Sequence, residues 1–468
     1  MKPSLSLLTL CLLLGACSHS TPDDHNDVIA PATWQSAPGQ ARHQINQQWW
    51  QQFGSTDLEH LVNQARLGSY DLAAAMARVQ QARASAVIAG APLLPEVTLA
   101  SNANREKLLR GKGYSQLEAR DDNQAADYFD TRLSASYEVD FWGGKAAAHD
   151  STLQTLKASE FDRDTVELTL LSSVANSYVQ ALALDEQLRI ARLNLANAHN
   201  VLHVVQTRHD AGSATALELA QQKSLVASQQ RYIPLLEQQA TEARITLAVL
   251  LGQPVQSLTL GDTPFSQLHW PTIGSGLPSQ LLSRRPDIAS AEARLVAASA
   301  DITVARAAML PSLTLSASIG SGADHFSDIL RSPFYNLGAG LAAPIFNNGR
   351  LSAERDRATA RQQELLQSYR GSIINAFADV EKALNSISGL DRQRQWQDEE
   401  LKQAQLAFDI AQHRYSVGAD MLLTVLQTQR TLYQAQDLHV QLRMARLQAS
   451  IALYKALGGG WLASAGDS

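Results

Sequence analysis

Between residues 145 and about 208, and again between 350 and about 414, the chain runs for more than 60 residues without a proline. At 1.5 Å per residue each run makes roughly 95 Å of helix, far longer than a globular core can use. In the first run Leu168, Leu171, Ala175, Tyr178 and Leu182 step by three and four, and Leu184, Leu188, Ala191, Leu195, Ala198, Leu202 and Val205 continue in a second phase. Such spacing marks a coiled-coil seam, and the change of phase predicts packing against neighbours on more than one side. A long amphipathic helix in a solitary bundle would carry the same pattern.

Ahead of each run the period changes to two. Val97, Leu99, Ser101 and Ala103 alternate with Thr98, Ala100, Asn102 and Asn104, and Leu133, Ala135, Tyr137, Val139 and Phe141 alternate with Arg132, Ser134, Ser136, Glu138 and Asp140. The pattern returns at Leu313, Leu315, Ala317 and Ile319, and at Tyr335, Leu337, Ala339, Leu341, Ala343 and Ile345. Each stretch is about 10 residues, the length a tilted strand needs to cross a hydrocarbon layer. A half-buried strand in a water-exposed sheet alternates in the same way. These strands, however, come as two pairs, each joined by a polar connection (105–130 and 321–333) suited to an aqueous side. Beyond the N-terminus no run of about 18 apolar residues offers a membrane helix, so any crossing falls to the strands.

The chain is written twice. Gly212 and Gly418 stop the long helices, and a shorter helix of about 40 residues returns from each, ending at "LLGQP" (250–254) and "KALGGGW" (455–461). At a constant offset of 206, Arg208 falls on Arg414, Gly212 on Gly418, Leu217 on Leu423 and Leu251 on Leu457; upstream the offset is 216, which places Pro95 on Pro311. The repeated unit is helix, strand, loop, strand, long helix, tip, returning helix. Four strands cannot close a barrel, and an open edge in lipid leaves backbone groups unpaired at several kcal/mol each. Closure must come from other copies: two chains give eight strands, three give twelve, and only the wider ring leaves clear room for a channel.

The N-terminus, "MKPSLSLLTLCLLLGACSHS", has one basic residue, Lys2, and an apolar run over 5–14 too short to span a bilayer, which is the form of an export signal. Its end resembles the bacterial lipobox, which implies cleavage before Cys17 and acylation of that residue, with Ser18 directing the product to the outer membrane. Cys11 leaves with the signal, so Cys17 stands alone and no intramolecular disulfide is expected. A net charge of -6 with 18% charged residues argues against a nucleic-acid partner. The expected organisation is a signal peptide over 1–16, a lipid-anchored segment with the first periplasmic helices over 17–92, and a strand pair over 93–142. A helical hairpin over 143–252 and a linker over 253–286 follow. The second repeat has its helix over 287–309, strand pair over 310–346 and hairpin over 347–458, before a tail over 459–468.

His199 and His203 stand four apart on a helix, a chelating spacing, but Asn200 occupies the place of a zinc protease glutamate and no third ligand is evident. Five methionines give little support for a soft-metal duct. The glycines at 320 and 322 end a strand with no helix behind them, so they do not form a phosphate cradle. No enzyme activity, metal site or cofactor is expected.

The segment "LPSQLLSRRPDIASAEARLVAASADITVARAAMLPSLTLS" (277–316), with "PIFNNGR", "RYSVGADMLLTVLQTQRTLYQAQ" and "LYKALGGGW", closely resembles the outer membrane factor (TolC-like) family of Gram-negative bacteria. The nearer likeness is to its NodT-like, OprM-like branch of efflux lipoproteins. The resemblance implies a mixed α/β membrane protein: a homotrimer sharing a twelve-stranded outer-membrane barrel, a long periplasmic helical barrel and a small equatorial domain. It implies a passive duct in a tripartite efflux system, with an inner-membrane pump of the proton-driven RND type and a membrane-fusion adaptor as partners. Adaptor docking would then fall at Arg208, Gly212, Leu217, Arg414, Gly418 and Leu423, where glycine in a tight turn and a solvated arginine at a helix end are the local alternatives. Relatives close the periplasmic aperture with acidic residues where this chain has Thr424 and Gln427. Glu218 and Asp420 are the nearest acids, with a helix-end charge as the alternative account. A type I protein-secretion duct, or a lipid-anchored periplasmic scaffold without channel activity, remains open on the sequence.

Overall fold

A computed structural model describes residues 28–36, 46–106, 126–271 and 273–461. The expected signal peptide, Cys17 and most of the 459–468 tail lie outside these residues. In chain order the elements are α1 (Thr56–Gly68), α2 (Tyr70–Gly90), β1 (Glu96–Glu106), β2 (Ala126–Val139), α3 (Gly144–Asp210) and α4 (Ala216–Leu250). The second repeat supplies α5 (Pro286–Ala307), β3 (Ser312–Ala323), β4 (Pro333–Ala342), α6 (Arg350–Ser416) and α7 (Leu422–Ala456).

The duplication holds to the residue in the long and returning helices. Both α3 and α6 have 67 residues, about 100 Å of rise, and both α4 and α7 have 35. The returning helices are shorter than the 40 residues expected because each tip spends residues on its turn before the next helix is capped. Pro234 lies inside α4, where it removes a backbone donor from the helical ladder.

At the helix side β2 and β4 end earlier than the alternation suggested, while at the other side β1 and β3 run on to Glu106 and Ala323 and β2 begins at Ala126, inside the stretches expected as polar connections. Asp140 does not continue β2: its carboxylate accepts from the Lys145 and Ala146 backbone N–H groups at 3.1 and 2.8 Å, which caps α3 and turns the chain from sheet to helix. Phe141 therefore lies past the strand. Ala343 and Ile345 lie past β4, where Pro344 cannot donate to a ladder. In both repeats a glycine in the left-handed region precedes the long helix, Gly143 at φ 70° and Gly349 at φ 79°.

All four strands join one antiparallel sheet in the order β1-β2-β3-β4. The pairing of β2 with β3 fuses the strand pairs of the two repeats. Among the described residues, the outer edges of β1 and β4 have no partner.

Near its midpoint α3 is buried almost all round, as Val174, Ala175, Tyr178, Val179 and Ala181 show. Here α1 and the turn Trp49–Phe53 wrap the helices into a collar. Trp49 stacks on Tyr454 of α7 with ring centroids 5.1 Å apart, and the Tyr178 hydroxyl meets Ser55 Oγ at 2.8 Å. A second core forms where residues 28–36 lie against α6. Trp34 packs edge-on to Phe377, and its Nε1 donates to the carbonyl oxygens of Ser275 and Gly276 at 3.1 and 3.0 Å.

Candidate functional site

The sheet is a wall with two unlike faces. Its register aligns Leu99, Leu133, Ile319 and Tyr335 in one row and Val97, Ala135, Ala317 and Leu337 in another, so every alternating apolar set falls on the same side. Leu99 is 74% exposed and Leu337 76%, an apolar face that water would not tolerate and lipid would cover. The opposite side carries Thr98, Ser134, Ser318 and Asn336 in one row, with Glu96, Arg132 and Glu138 nearby. Lys145 pairs with Glu138 at 3.2 Å. Where the wall meets the helices, Phe141, Trp142 and Phe346 are exposed, as an aromatic belt at a membrane surface would be.

At the far ends of the helices the two tips share one backbone design. The Ser213 N–H donates to the Arg208 carbonyl and the Gly212 N–H to the His209 carbonyl, at 2.8 and 2.9 Å. The Ala419 N–H donates to the Arg414 carbonyl and the Gly418 N–H to the Tyr415 carbonyl, at 2.8 and 3.0 Å. This is the Schellman closure, which needs a left-handed residue, and Gly212 and Gly418 have φ of 73° and 79°. Past the turns Leu217 and Leu423 occupy equivalent places and are 67% and 53% exposed.

The acids near the tips have local work. Thr215 and Glu218 form a capping box: the Glu218 N–H donates to Thr215 Oγ1 at 3.2 Å, and the Thr215 N–H to the Glu218 carboxylate at 2.7 Å. Asp420 accepts from the Met421 N–H at 2.8 Å and the Thr424 hydroxyl at 2.9 Å, with Arg414 Nε at 3.2 Å. Those hydrogen bonds, the backbone one first, hold the Asp420 carboxyl below the usual carboxylate range. Gln427 is exposed and lines a crevice of about 650 Å³ between α3, α4 and α7, with Tyr232, Arg430, Tyr433 and Asp437.

Sequence reasoning missed the polar interlocks that hold the helices in register. Gln222 Nε2 donates to the Ala198 carbonyl and Gln397 Nε2 to the Ala435 carbonyl, both at 2.8 Å. The Tyr433 hydroxyl donates to the Asn194 carbonyl at 2.7 Å and accepts from Gln429. Burial pushes the Tyr433 phenol up to about 12. A glutamine inside a helical seam is the one signal that could have found them. His199 and His203 are both exposed, and among the described residues no group of three or more His, Cys, Asp or Glu side chains could hold a metal ion.

A four-stranded wall with lipid outside, polar groups inside and two open edges, carried on helices of about 100 Å, defines a membrane channel assembled from several copies. The sequence model of the outer membrane efflux protein family matches residues 61–253 and 277–459, and the chain belongs to that family. Among its relatives, the pyoverdine export outer membrane protein OpmQ of Pseudomonas aeruginosa is 63% identical over 459 residues, which covers 98% of this chain and 97% of the relative. The cation efflux system protein CusC of Escherichia coli is 30% identical over 466 residues, covering 97% and 98%. The solved outer-membrane channel OprN superposes with a TM-score of 0.87 at 27% identity, covering 95% of this chain and 98% of that one. The fold is therefore TolC-like with four barrel strands per chain. The protein is the outer membrane channel component of a tripartite efflux system, and it extends into the periplasm of a Gram-negative cell.

Proposed function

We propose that this channel exports pyoverdine. The supporting observation is the depth of likeness to the pyoverdine export protein, 63% along nearly the whole length of both chains, against 30% for the cation efflux relative. The test is complementation: expression of this chain in a Pseudomonas aeruginosa strain lacking its own OpmQ restores pyoverdine in the medium. Channels that assemble in the outer membrane of that strain and leave the medium without pyoverdine would sink the cargo assignment.

We infer that three copies join edge to edge, with strand pairs 93–142 and 310–346 in the membrane and hairpins 143–252 and 347–458 in the periplasm. The duct acts passively; a proton-driven inner-membrane pump of the RND type supplies energy, and a membrane-fusion adaptor docks on the tips. Leu217 and Leu423, exposed at equivalent places beside the rigid turns at Gly212 and Gly418, offer that adaptor an apolar contact, flanked by Arg208 and Arg414. The aperture lies at the same end, where Glu218, Asp420 and Thr424 fix the helix ends and the exposed Gln427 faces a neighbouring hairpin. Cys17 carries the lipid anchor. Intact mass of the processed chain checks this, since Cys17→Ser would lack the acyl mass.

A further inference from the structure

The inner face of the barrel wall holds one grouping that its polar surroundings do not explain. Among the described strand residues on that face the acids are Glu96, Asp130 and Glu138, and Arg132 is the single cation. Asp130 is buried beneath this cluster, accepting from Asn102 Nδ2 at 3.3 Å and lying 3.5 Å from Arg132 Nε, so its charge is compensated locally. The Arg132 side chain remains 48% exposed.

Two aromatic residues share its face, Phe334 in the same row and Tyr128 four residues earlier on β2. The register runs Arg132, Gly320, Phe334 across three strands. A methyl group on Gly320 would come within 2.8 Å of Arg132 Cβ and 3.0 Å of Phe334 Cζ, and one on Gly322 within 2.6 Å of the Tyr128 hydroxyl. Glycine in a strand interior weakens the strand, and here it leaves room for rings to lie across the sheet. Phe334 and Tyr128 nevertheless keep 38% and 44% of their surfaces open on the side that faces the channel interior. The row lies toward the strand connections, at the end away from the helices, and therefore near the outer mouth.

We propose that Arg132, Phe334 and Tyr128 form a wall site that contacts planar aromatic anions as they leave the duct. Guanidinium recognises the acidic group and the rings supply a stacking surface. Closure of the barrel by like copies repeats the site at one height, each time with a half-exposed guanidinium beside aromatic rings. The site rests on the channel reading and deepens it by naming a chemical class of cargo.

The experiment is current block in planar bilayers by purified channels, with naphthalene-1,5-disulfonate added on the outer side. Butane-1,4-disulfonate serves as a non-aromatic dianion and N-methylquinolinium as a planar cation. Wild-type current falls with the naphthalene probe at concentrations where the two controls leave it unchanged. Arg132→Gln and Phe334→Leu each raise the half-blocking concentration by roughly fivefold, about 1 kcal/mol, while the unblocked conductance and the heat-modifiable oligomer on a gel stay as in wild type. Equal block of both variants and wild type, or equal block by the two dianions, overturns the proposal. Should Arg132→Gln fail to assemble, Phe334→Leu decides alone. Wild-type protein without any channel current would sink the channel reading itself, and the wall site with it.

Discussion

Arg208 Nη1 donates to the carbonyl oxygen of Tyr415 at 2.8 Å, and its guanidinium lies 4.6 Å over the ring of the same residue. One side chain at the end of α3 thus clasps the last turn of α6 and ties the first tip to the second. Losing it forfeits a charged hydrogen bond and a cation–π contact, together about 2 kcal/mol. Arg208→Ala therefore loosens the periplasmic end and raises resting single-channel conductance. Tyr415→Leu, which keeps the carbonyl, gives a smaller rise. Conductance unchanged in both variants would show that the clasp does not hold the aperture.

The tip glycines differ from Gly320 and Gly322 inside the sheet. A side chain on Gly212 or Gly418 would meet nothing within 4 Å, so substitution costs only the left-handed backbone. Gly212→Ala and Gly418→Ala should each destabilise by about 1 kcal/mol, and Gly→Asn by less, because asparagine tolerates that region. Thermal unfolding of the detergent-solubilised protein measures this, and equal losses for Ala and Asn would contradict it.

Asp420 sets an acid limit on the second tip. Its folded pKa lies below the unfolded value of about 3.9, because the Met421 N–H and the Thr424 hydroxyl bond the charged form. A depressed folded pKa means that its contribution is fully present above the unfolded value and is lost as pH falls through the folded one. Amide exchange at residues 421–424, corrected for intrinsic rate, should hold steady from pH 7 to about 5 and accelerate below about 4. Asp420→Asn should be insensitive across that range. An onset of fraying near pH 6 would point to another group.

The two faces of β4 answer oppositely to charge. Leu337→Arg places a cation on the lipid side and costs about 2–4 kcal/mol near the membrane midplane, so the heat-modifiable oligomer is lost. Asn336→Arg, one residue away on the inner side, leaves assembly intact and shifts ion selectivity toward anions. Gel mobility and reversal potential report the two effects, and loss of assembly in both variants would mean the faces are assigned wrongly.

How much was legible in the sequence depends on the range of the information. The alternation at Leu99 and Leu337 and the steps at Leu171, Ala175 and Tyr178 are set by the local geometry of strand and helix, so neighbours along the chain reveal them. The repeat offset of 206 needed only comparison of the chain with itself, and it marked Gly212 and Gly418 as turns. Where a local competitor intervened, the reading overran: Asp140 continues the alternation on paper, yet its carboxylate caps α3.

The sequence by itself determined that this chain has two repeated units, strands with one apolar face, helices too long for a globule and too few strands to close a ring. The tertiary structure alone decided that β2 pairs with β3, that Trp49, Tyr178 and Tyr454 meet in one collar, that Arg208 reaches Tyr415, and that Arg132 stands beside Phe334. Periodicity is fixed by bonds between adjacent residues. The partner of a surface is fixed only when segments distant in sequence compete for the same burial and the same backbone hydrogen bonds.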